Sequence, residues 1–166
     1  MMLLNNEIYF IRHAENTYDN NLKNDDLPLT KRGKKQCIYM SKILNDNFDY
    51  IYCSTSLRAF ETARLITNSN NICKDNKLIE RGWGNNNGLE TDYEAKVRIE
   101  KFIEENIINK ENKRILIVTH GSLMRLIQDV IEENCMERNR VYNCTSINYN
   151  IMGHKQVTHL PNNIRS

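Results

Sequence analysis

The chain has no Cys-x-x-Cys pair, no apolar run near the ~18 residues of a membrane span, and no linker rich in proline, glycine or serine. Its five cysteines (Cys37, Cys53, Cys73, Cys135 and Cys144) are scattered and odd in number. That excludes a disulfide framework or structural zinc site as a first reading and fits a reducing compartment. Each lies in or beside an apolar segment, so all five are expected to be small core residues. Met1-Met2-Leu3-Leu4 is too short for the core of a signal peptide, and the expectation is a cytoplasmic protein with no membrane partner. A net charge of only +2 lacks the surplus of a nucleic-acid binder, so no nucleic acid is expected either. The densest basic stretch, Lys31-Arg32-Gly33-Lys34-Lys35, reads as the solvent side of a helix. With two prolines and six glycines among 166 residues, nothing divides the chain. Residues 1–166 are expected to form one domain with a full core.

What is present is an alternation of strand-like and helix-like segments. Ile8-Tyr9-Phe10-Ile11 is a short apolar run that ends abruptly in Arg12-His13-Ala14-Glu15. A polar loop over 16–26 follows, and Thr30 caps a helix carried to about Asn45 by Cys37, Met40, Ile43 and Leu44. Phe48 to Cys53 reads as a second strand. A helix follows with Leu57, Phe60, Ala63 and Ile66 on one side and Arg58 in its first turn. Residues 68–76 read as loop, Lys77-Leu78-Ile79 as a brief extended piece, and Gly82, Gly84 and Gly88 as marks of an irregular loop. A third helix is expected over about Asp92–Ile108, carried by Tyr93, Val97, Phe102, Ile103 and Ile107. Arg114 to Thr119 is the clearest strand, followed by His120-Gly121 and a helix holding Leu123, Leu126, Ile127, Val130 and Ile131. Two alternating runs around Met152-Gly153-His154 predict a hairpin. The order implies an α/β fold, a three-layer sandwich with a mostly parallel central sheet.

Four of these segments deliver a charged or titratable residue at a strand end or loop: Arg12-His13, Arg58, Glu80 and His120-Gly121. Ligands of open α/β sheets bind beyond the carboxyl ends of the strands, where such residues would meet. Taken singly, each has a duller reading: a charged turn, a solvated helix arginine, a surface glutamate, a satisfied turn histidine. The combination is what distinguishes them.

The combination resembles a family, the histidine phosphatases of the phosphoglycerate mutase-like superfamily. The matching residues are Arg12-His13-Ala14-Glu15; Asp26-Leu27-Pro28-Leu29-Thr30 with Gly33 and Gln36; Ser54 with Arg58-Ala59 and Thr62-Ala63; Leu78 and Glu80 with Gly84 and Gly88; Val118-Thr119-His120-Gly121; and Asn143-Cys144-Thr145-Ser146-Ile147. They fall in the family's order from about residue 7 to 150. The resemblance implies a metal-independent phosphatase of small or protein-borne phosphate monoesters, with no cofactor. His13 would attack phosphorus and form a phosphohistidine. Arg12 and Arg58 would grip phosphate oxygens, with Asn16, His120 and Gly121 as further phosphate contacts. His120 would donate to the equatorial oxygens. Glu80 would protonate the leaving oxygen and then take a proton from the incoming water, which asks for a carboxyl pKa raised toward neutrality by burial or by nearby phosphate charge. No carboxylate cluster offers a metal a site.

Three residues depart from the family pattern. Ala14 stands where glycine is usual, Asp19 where asparagine often contacts phosphate, and Asn87 where many members carry a second glutamate. A mutase of phosphoglycerates and a non-catalytic phospholigand-binding domain are the alternative functions. The few segments between Glu80 and His120 suit an open site, which favours hydrolysis. His154 and His159 are expected at the surface, and oligomeric state is not legible.

Overall fold

The computed structural model describes residues 5–45, 47–81, 90–132 and 138–165. The glycine loop expected around Gly82, Gly84 and Gly88, together with Asn87 and Cys135, lies outside them. Among the described residues six strands form one sheet in the order β3-β2-β4-β1-β5-β6. These are β1 (Glu7–Arg12), β2 (Tyr50–Ser54), β3 (Cys73–Asp75), β4 (Arg114–Thr119), β5 (Ser146–Tyr149) and β6 (Lys155–Thr158). The first four run parallel, and the β5–β6 hairpin adds two antiparallel strands at the β1 edge. Four helices cover the sheet: α1 (Lys31–Leu44), α2 (Leu57–Thr67), α3 (Asp92–Asn106) and α4 (Gly121–Glu132). This is the expected α/β sandwich with its mostly parallel core.

The two central strands explain the layering. Along β4, Ile115 and Ile117 join one apolar cluster while Leu116 and Val118 join the other, and all four are 0% exposed. A strand buried on both faces needs no polar alternation, which is why Arg114–Thr119 reads so clearly. The first cluster packs Ile8, Phe10 and Tyr149 against Ile99 and Phe102 of α3 and Leu126 and Ile127 of α4. The second packs Ile11, Ile51 and Cys53 against Cys37 and Met40 of α1 and Ala63 and Ile66 of α2. Each buried aliphatic or aromatic side chain contributes about 1.5–3 kcal/mol of transfer free energy.

Several local readings hold. Thr30 accepts the Gly33 N–H at 2.9 Å, so it caps α1 as its side chain predicts. Lys31, Arg32, Lys34 and Lys35 face solvent. Others need correction. On α1 Ile43 is 45% exposed, and Gly33 and Gln36 share the buried face with Cys37, Met40 and Leu44. The buried face of α2 is Arg58, Ala59, Thr62, Ala63, Ile66 and Thr67, with Leu57 and Phe60 only half-buried. On α3 Tyr93 is 75% and Val97 44% exposed, while Ala95, Ile99, Phe102 and Ile103 face the core. That helix ends at Asn106, with Ile107 as its C-cap, rather than at Ile108. The segment 68–76 contains β3, and Asn76–Leu78 is a 3-10 turn, not an extended piece. An edge strand written Cys-Lys-Asp carries no apolar pattern to announce it. A second 3-10 turn, Asn24–Asp26, interrupts the 16–26 loop. Cys37, Cys53 and Cys144 are buried as expected, but Cys73, on that edge strand, is exposed. Among the described residues no helix is long and apolar enough to cross a membrane.

Candidate active site

Strand register places the first two residues of the site. β1 and β4 are neighbours with Arg12 opposite Thr119, so His13 and His120 follow as the next pair beyond the ladder. The His13 N–H still donates to the Thr119 carbonyl at 2.9 Å, extending the ladder by one bond. Adjacent strands are about 4.8 Å apart, and the two imidazole centroids are 5.1 Å apart.

His13 is held almost wholly by main chain. Its Nδ1 lies 2.8 Å from the Ala14 carbonyl, to which only a protonated nitrogen can donate. That leaves Nε2 with its lone pair, and Arg58 Nε donates to it at 3.3 Å. Burial pushes the His13 imidazole well below its ordinary pKa of 6.5, and the neighbouring His120, Arg58 and Arg12 push it the same way. The Ala14 bond pulls in the other direction and loses. A neutral ring with Nε2 unprotonated keeps a lone pair that is chemically able to act as a nucleophile. Alanine in place of the family's glycine is accommodated: Ala14 does not have a positive φ and its N–H donates to Thr62 Oγ1 at 3.0 Å.

Arg58 enters from the first turn of α2 and is 3% exposed. Its Nη1 donates to the Asn24 carbonyl at 2.6 Å, and its Nη2 lies 3.3 Å from His120 Nδ1 and 3.8 Å from Glu80 Oε2. The inward phase of α2, which the apolar periodicity alone misses, is what brings this guanidinium to the rings. Arg12 donates through Nη1 to the Val141 carbonyl at 3.0 Å, and its buried Nε has no partner among the described residues. That nitrogen is a free donor for an anion. A Cβ on Gly121 would stand 3.2 Å from Arg12 Cδ and Nε, so glycine there lets the arginine lie against the start of α4.

Glu80 is held from two sides. Oε2 lies 3.2 Å from His120 Nδ1, and the Ser122 hydroxyl donates to Oε1. The segment before it is tied down by Thr119 Oγ1, which donates to the Leu78 carbonyl at 2.7 Å. Arg98 clamps it further, reaching the Lys77 and Ile79 carbonyls at 2.6 and 3.2 Å and Glu90 at 2.6 Å. Burial raises the Glu80 pKa, but the bonds and charges of His120, Ser122 and His13 outweigh it and bring the carboxyl down to about 2. In the ligand-free protein burial alone therefore does not raise this carboxyl toward neutrality. His120, 0% exposed, has its own pKa lowered by burial despite the adjacent carboxylate.

Five of the expected site residues thus converge. Asn16 does not join them: its side-chain amide donates to the Thr17 carbonyl and the residue bridges to Leu29. Asp19 is exposed, its Oδ1 accepting from the backbone and side chain of Asn21 at 2.8 and 3.1 Å. It is engaged in its own turn. His154 and His159 are exposed as read, though His159 Nδ1 meets Thr145 Oγ1 at 3.0 Å. Ligand atoms of His13, Glu80 and His120 all lie within 4.8 Å of one another, spacing a metal ion could bridge. Arg58 stands among them, however, and a guanidinium at hydrogen-bond range of both rings repels a cation and attracts an anion.

Supporting residues went unassigned in the sequence reading. Gln36 accepts the Glu15 N–H at 2.9 Å, Asn143 donates to the His13 carbonyl at 3.1 Å, and Ser54 Oγ lies 2.8 Å from His120 Nε2. Their polarity within buried segments was the available signal.

An α/β sheet that gathers two arginines, two histidines and a carboxylate at its strand ends has the donors to attract an anion there. Residues 8–97 match the family model of the histidine phosphatase superfamily (branch 1), and the chain belongs to that family. No curated protein matches it. Among solved structures it resembles YhfR of Bacillus stearothermophilus at 20% identity, covering 92% of this chain and 95% of that one with a TM-score of 0.72. Phosphoglycerate mutase from Bacillus anthracis str. Sterne is 17% identical over 93% and 92% of the two chains, with a TM-score of 0.69. A mutant phosphoserine phosphatase from Entamoeba histolytica, in complex with phosphoserine, is 20% identical over 93% and 95%, with a TM-score of 0.61. At these identities the likeness is one of fold, phosphoglycerate mutase-like.

Proposed function

We propose that the protein is a metal-independent phosphatase that hydrolyses phosphate monoesters through a phosphohistidine on His13. The observation that carries this reading is the state of that ring: Nδ1–H committed to the Ala14 carbonyl, Nε2 unprotonated and beside Arg58. Arg12, Arg58 and His120 hold the phosphoryl oxygens, and Gly121 lets Arg12 approach. Nε2 attacks phosphorus as the ester P–O bond breaks. Charge on the equatorial oxygens is met by the two guanidiniums and by the His120 N–H, which passes from Glu80 to a phosphoryl oxygen as substrate enters, so little further reorganisation is needed at the transition state.

The leaving oxygen takes a proton from Glu80, and Glu80 takes one back from the water that cleaves the P–N bond. A carboxyl with a pKa of about 2 holds no proton at neutral pH. The arriving phosphate supplies the remedy: a second anion beside the carboxylate raises its pKa, so binding draws a proton onto Glu80. Asn16 is a further phosphate contact only if its amide leaves Thr17. The substrate class is a small or protein-borne monoester, and the site of action is the cytoplasm.

The test is single-turnover labelling. A labelled phosphoester mixed with the protein and quenched in base should leave acid-labile label that is absent in His13→Ala. Isomerisation of phosphoglycerates without phosphate release would replace hydrolysis with the mutase reading. Absence of both label and turnover across a broad ester panel would leave only a binding domain.

A further inference from the structure

His120 has two ring nitrogens, and a neutral imidazole protonates only one of them. Nε2 lies 2.8 Å from Ser54 Oγ, and Nδ1 lies 3.2 Å from Glu80 Oε2. Ser54, at the end of β2, is 0% exposed, and its oxygen accepts the Ser56 N–H at 3.4 Å. On the far side of Glu80 the arrangement is mirrored. Ser122 Oγ accepts the Arg81 N–H at 3.4 Å and donates to Glu80 Oε1. A row of hydrogen bonds therefore runs from Ser56 to Arg81 through Ser54, His120, Glu80 and Ser122.

Both ends of that row are backbone N–H groups, which only donate. Each serine oxygen is thus an acceptor on its outer side, and each hydroxyl proton is left for the inner side. The Ser122 proton goes to the carboxylate. The Ser54 proton has one acceptor among the described residues, His120 Nε2. With Nε2 accepting, Nδ1 carries the ring proton and donates to Glu80. The opposite tautomer would set the Nδ1 and Oε2 lone pairs face to face at 3.2 Å and strand the buried Ser54 proton. The 3.3 Å approach of Arg58 Nη2 to Nδ1 is then a charge contact, not a hydrogen bond.

We propose that Ser54 and Ser122 are positioning residues: the Ser54 hydroxyl holds His120 as its Nδ1–H tautomer, and the Ser122 hydroxyl holds the Glu80 carboxylate where it accepts that proton's hydrogen bond. Neither serine is placed against the reacting atoms. Their role in turnover rests on the phosphatase reading, because Nδ1–H must pass from Glu80 to a phosphoryl oxygen when substrate enters. Without the Ser54 hydroxyl the ring is free to change tautomer and present a lone pair to the phosphate. Burial alone does not choose between the two nitrogens; the direction of the row does.

Nitrogen-15 spectra of the full-length, ligand-free protein read the tautomer directly, with the His120 signals identified by their loss in His120→Ala. The expected result is His120 protonated at Nδ1. In Ser54→Ala the Nε2–H form should grow in, with kcat falling roughly tenfold to a hundredfold and KM changing less than kcat. Ser54→Thr, which keeps the hydroxyl, should keep the tautomer and recover most of kcat. In Ser122→Ala the Glu80 carboxyl, followed by carbon-13 shifts, should titrate at higher pH than in the wild type. A wild-type ring protonated at Nε2 overturns the proposal, as does a folded Ser54→Ala with unchanged tautomer and kcat. A wild type that cleaves no ester but carries Nδ1–H would sink the phosphatase reading and leave the tautomer assignment standing.

Discussion

β1 and β4 lie side by side, run the same way and are each followed at once by a histidine, yet the two imidazoles are anchored by different means. His13 is fixed by backbone: its Nδ1 by the Ala14 carbonyl, its N–H by the Thr119 carbonyl, and its own carbonyl by the Cys144 N–H at 3.5 Å as well as Asn143. His120 is fixed by side chains, Ser54 on one nitrogen and Glu80 on the other, delivered by separate segments. A tautomer written in the main chain survives most substitutions around it. One written in side chains can be changed by a single mutation. His13, the proposed nucleophile, is therefore the rigid half of the site, and His120, the proposed hydrogen-bond donor to the phosphoryl oxygens, the adjustable half.

The largest expected effect sharpens this contrast. His13→Ala should reduce turnover by roughly 10³-fold or more and abolish the base-stable label, since nothing replaces the nucleophile. His120→Ala should reduce it by roughly 10²–10³-fold while label still forms slowly, as loss of one charge-stabilising donor does. If His120→Ala loses the label and His13→Ala keeps it, the two strand ends have exchanged roles. Next in size is Arg98→Ala. It frees the Lys77 and Ile79 carbonyls beside Glu80, and kcat should fall about tenfold or more with the fold retained, by the precedent of lost outer-shell partners. An unchanged kcat would mean that Glu80 is held well enough by Ser122 and His120 alone.

Gly33→Ala probes the backbone half through stability. The added Cβ would sit 2.0 Å from the Glu15 carbonyl oxygen, two residues after His13. Forcing that backbone aside should cost about 1–3 kcal/mol, read as a lower Tm. The smallest effect is that of pH. Both histidines are kept neutral by burial, so on unfolding they regain their ordinary pKa of 6.5 and bind protons that the fold refuses. Stability should then fall as pH drops from 7 toward 5. Glu80, at about 2 in the fold against an ordinary 4.5, contributes stability above pH 4.5 that is lost progressively toward pH 2. Thermal melts from pH 7 to 5 in wild type and His13→Ala would separate the first effect; equal slopes would refute it.

Legibility in the sequence followed the same divide. β4 was readable because both its faces are buried and every position from Ile115 to Val118 is apolar. α3 was found with Phe102, Ile103 and Ile107 buried as read, but in its first half Tyr93 and Val97 mimic a core face while Ala95 and Ile99 fill the actual one. β3 was missed because an exposed edge strand has no hydrophobic pattern to display. That Arg12, His13, Arg58, Glu80 and His120 would meet beyond the strand ends was legible from their places in the strand–helix order. The ionisation of Glu80 was not, since the groups that lower it come from His120, Ser122 and His13.

The order of residues along the chain by itself determined the inner strands, the Thr30 cap and which side chains could carry phosphate chemistry, because local periodicity and residue type are properties of short segments. Only the tertiary structure decided the protonation of the site. A pKa depends on solvent exclusion and on donors a few ångströms away, and here those donors come from positions 54, 58 and 122, which nothing but the register of the sheet makes neighbours.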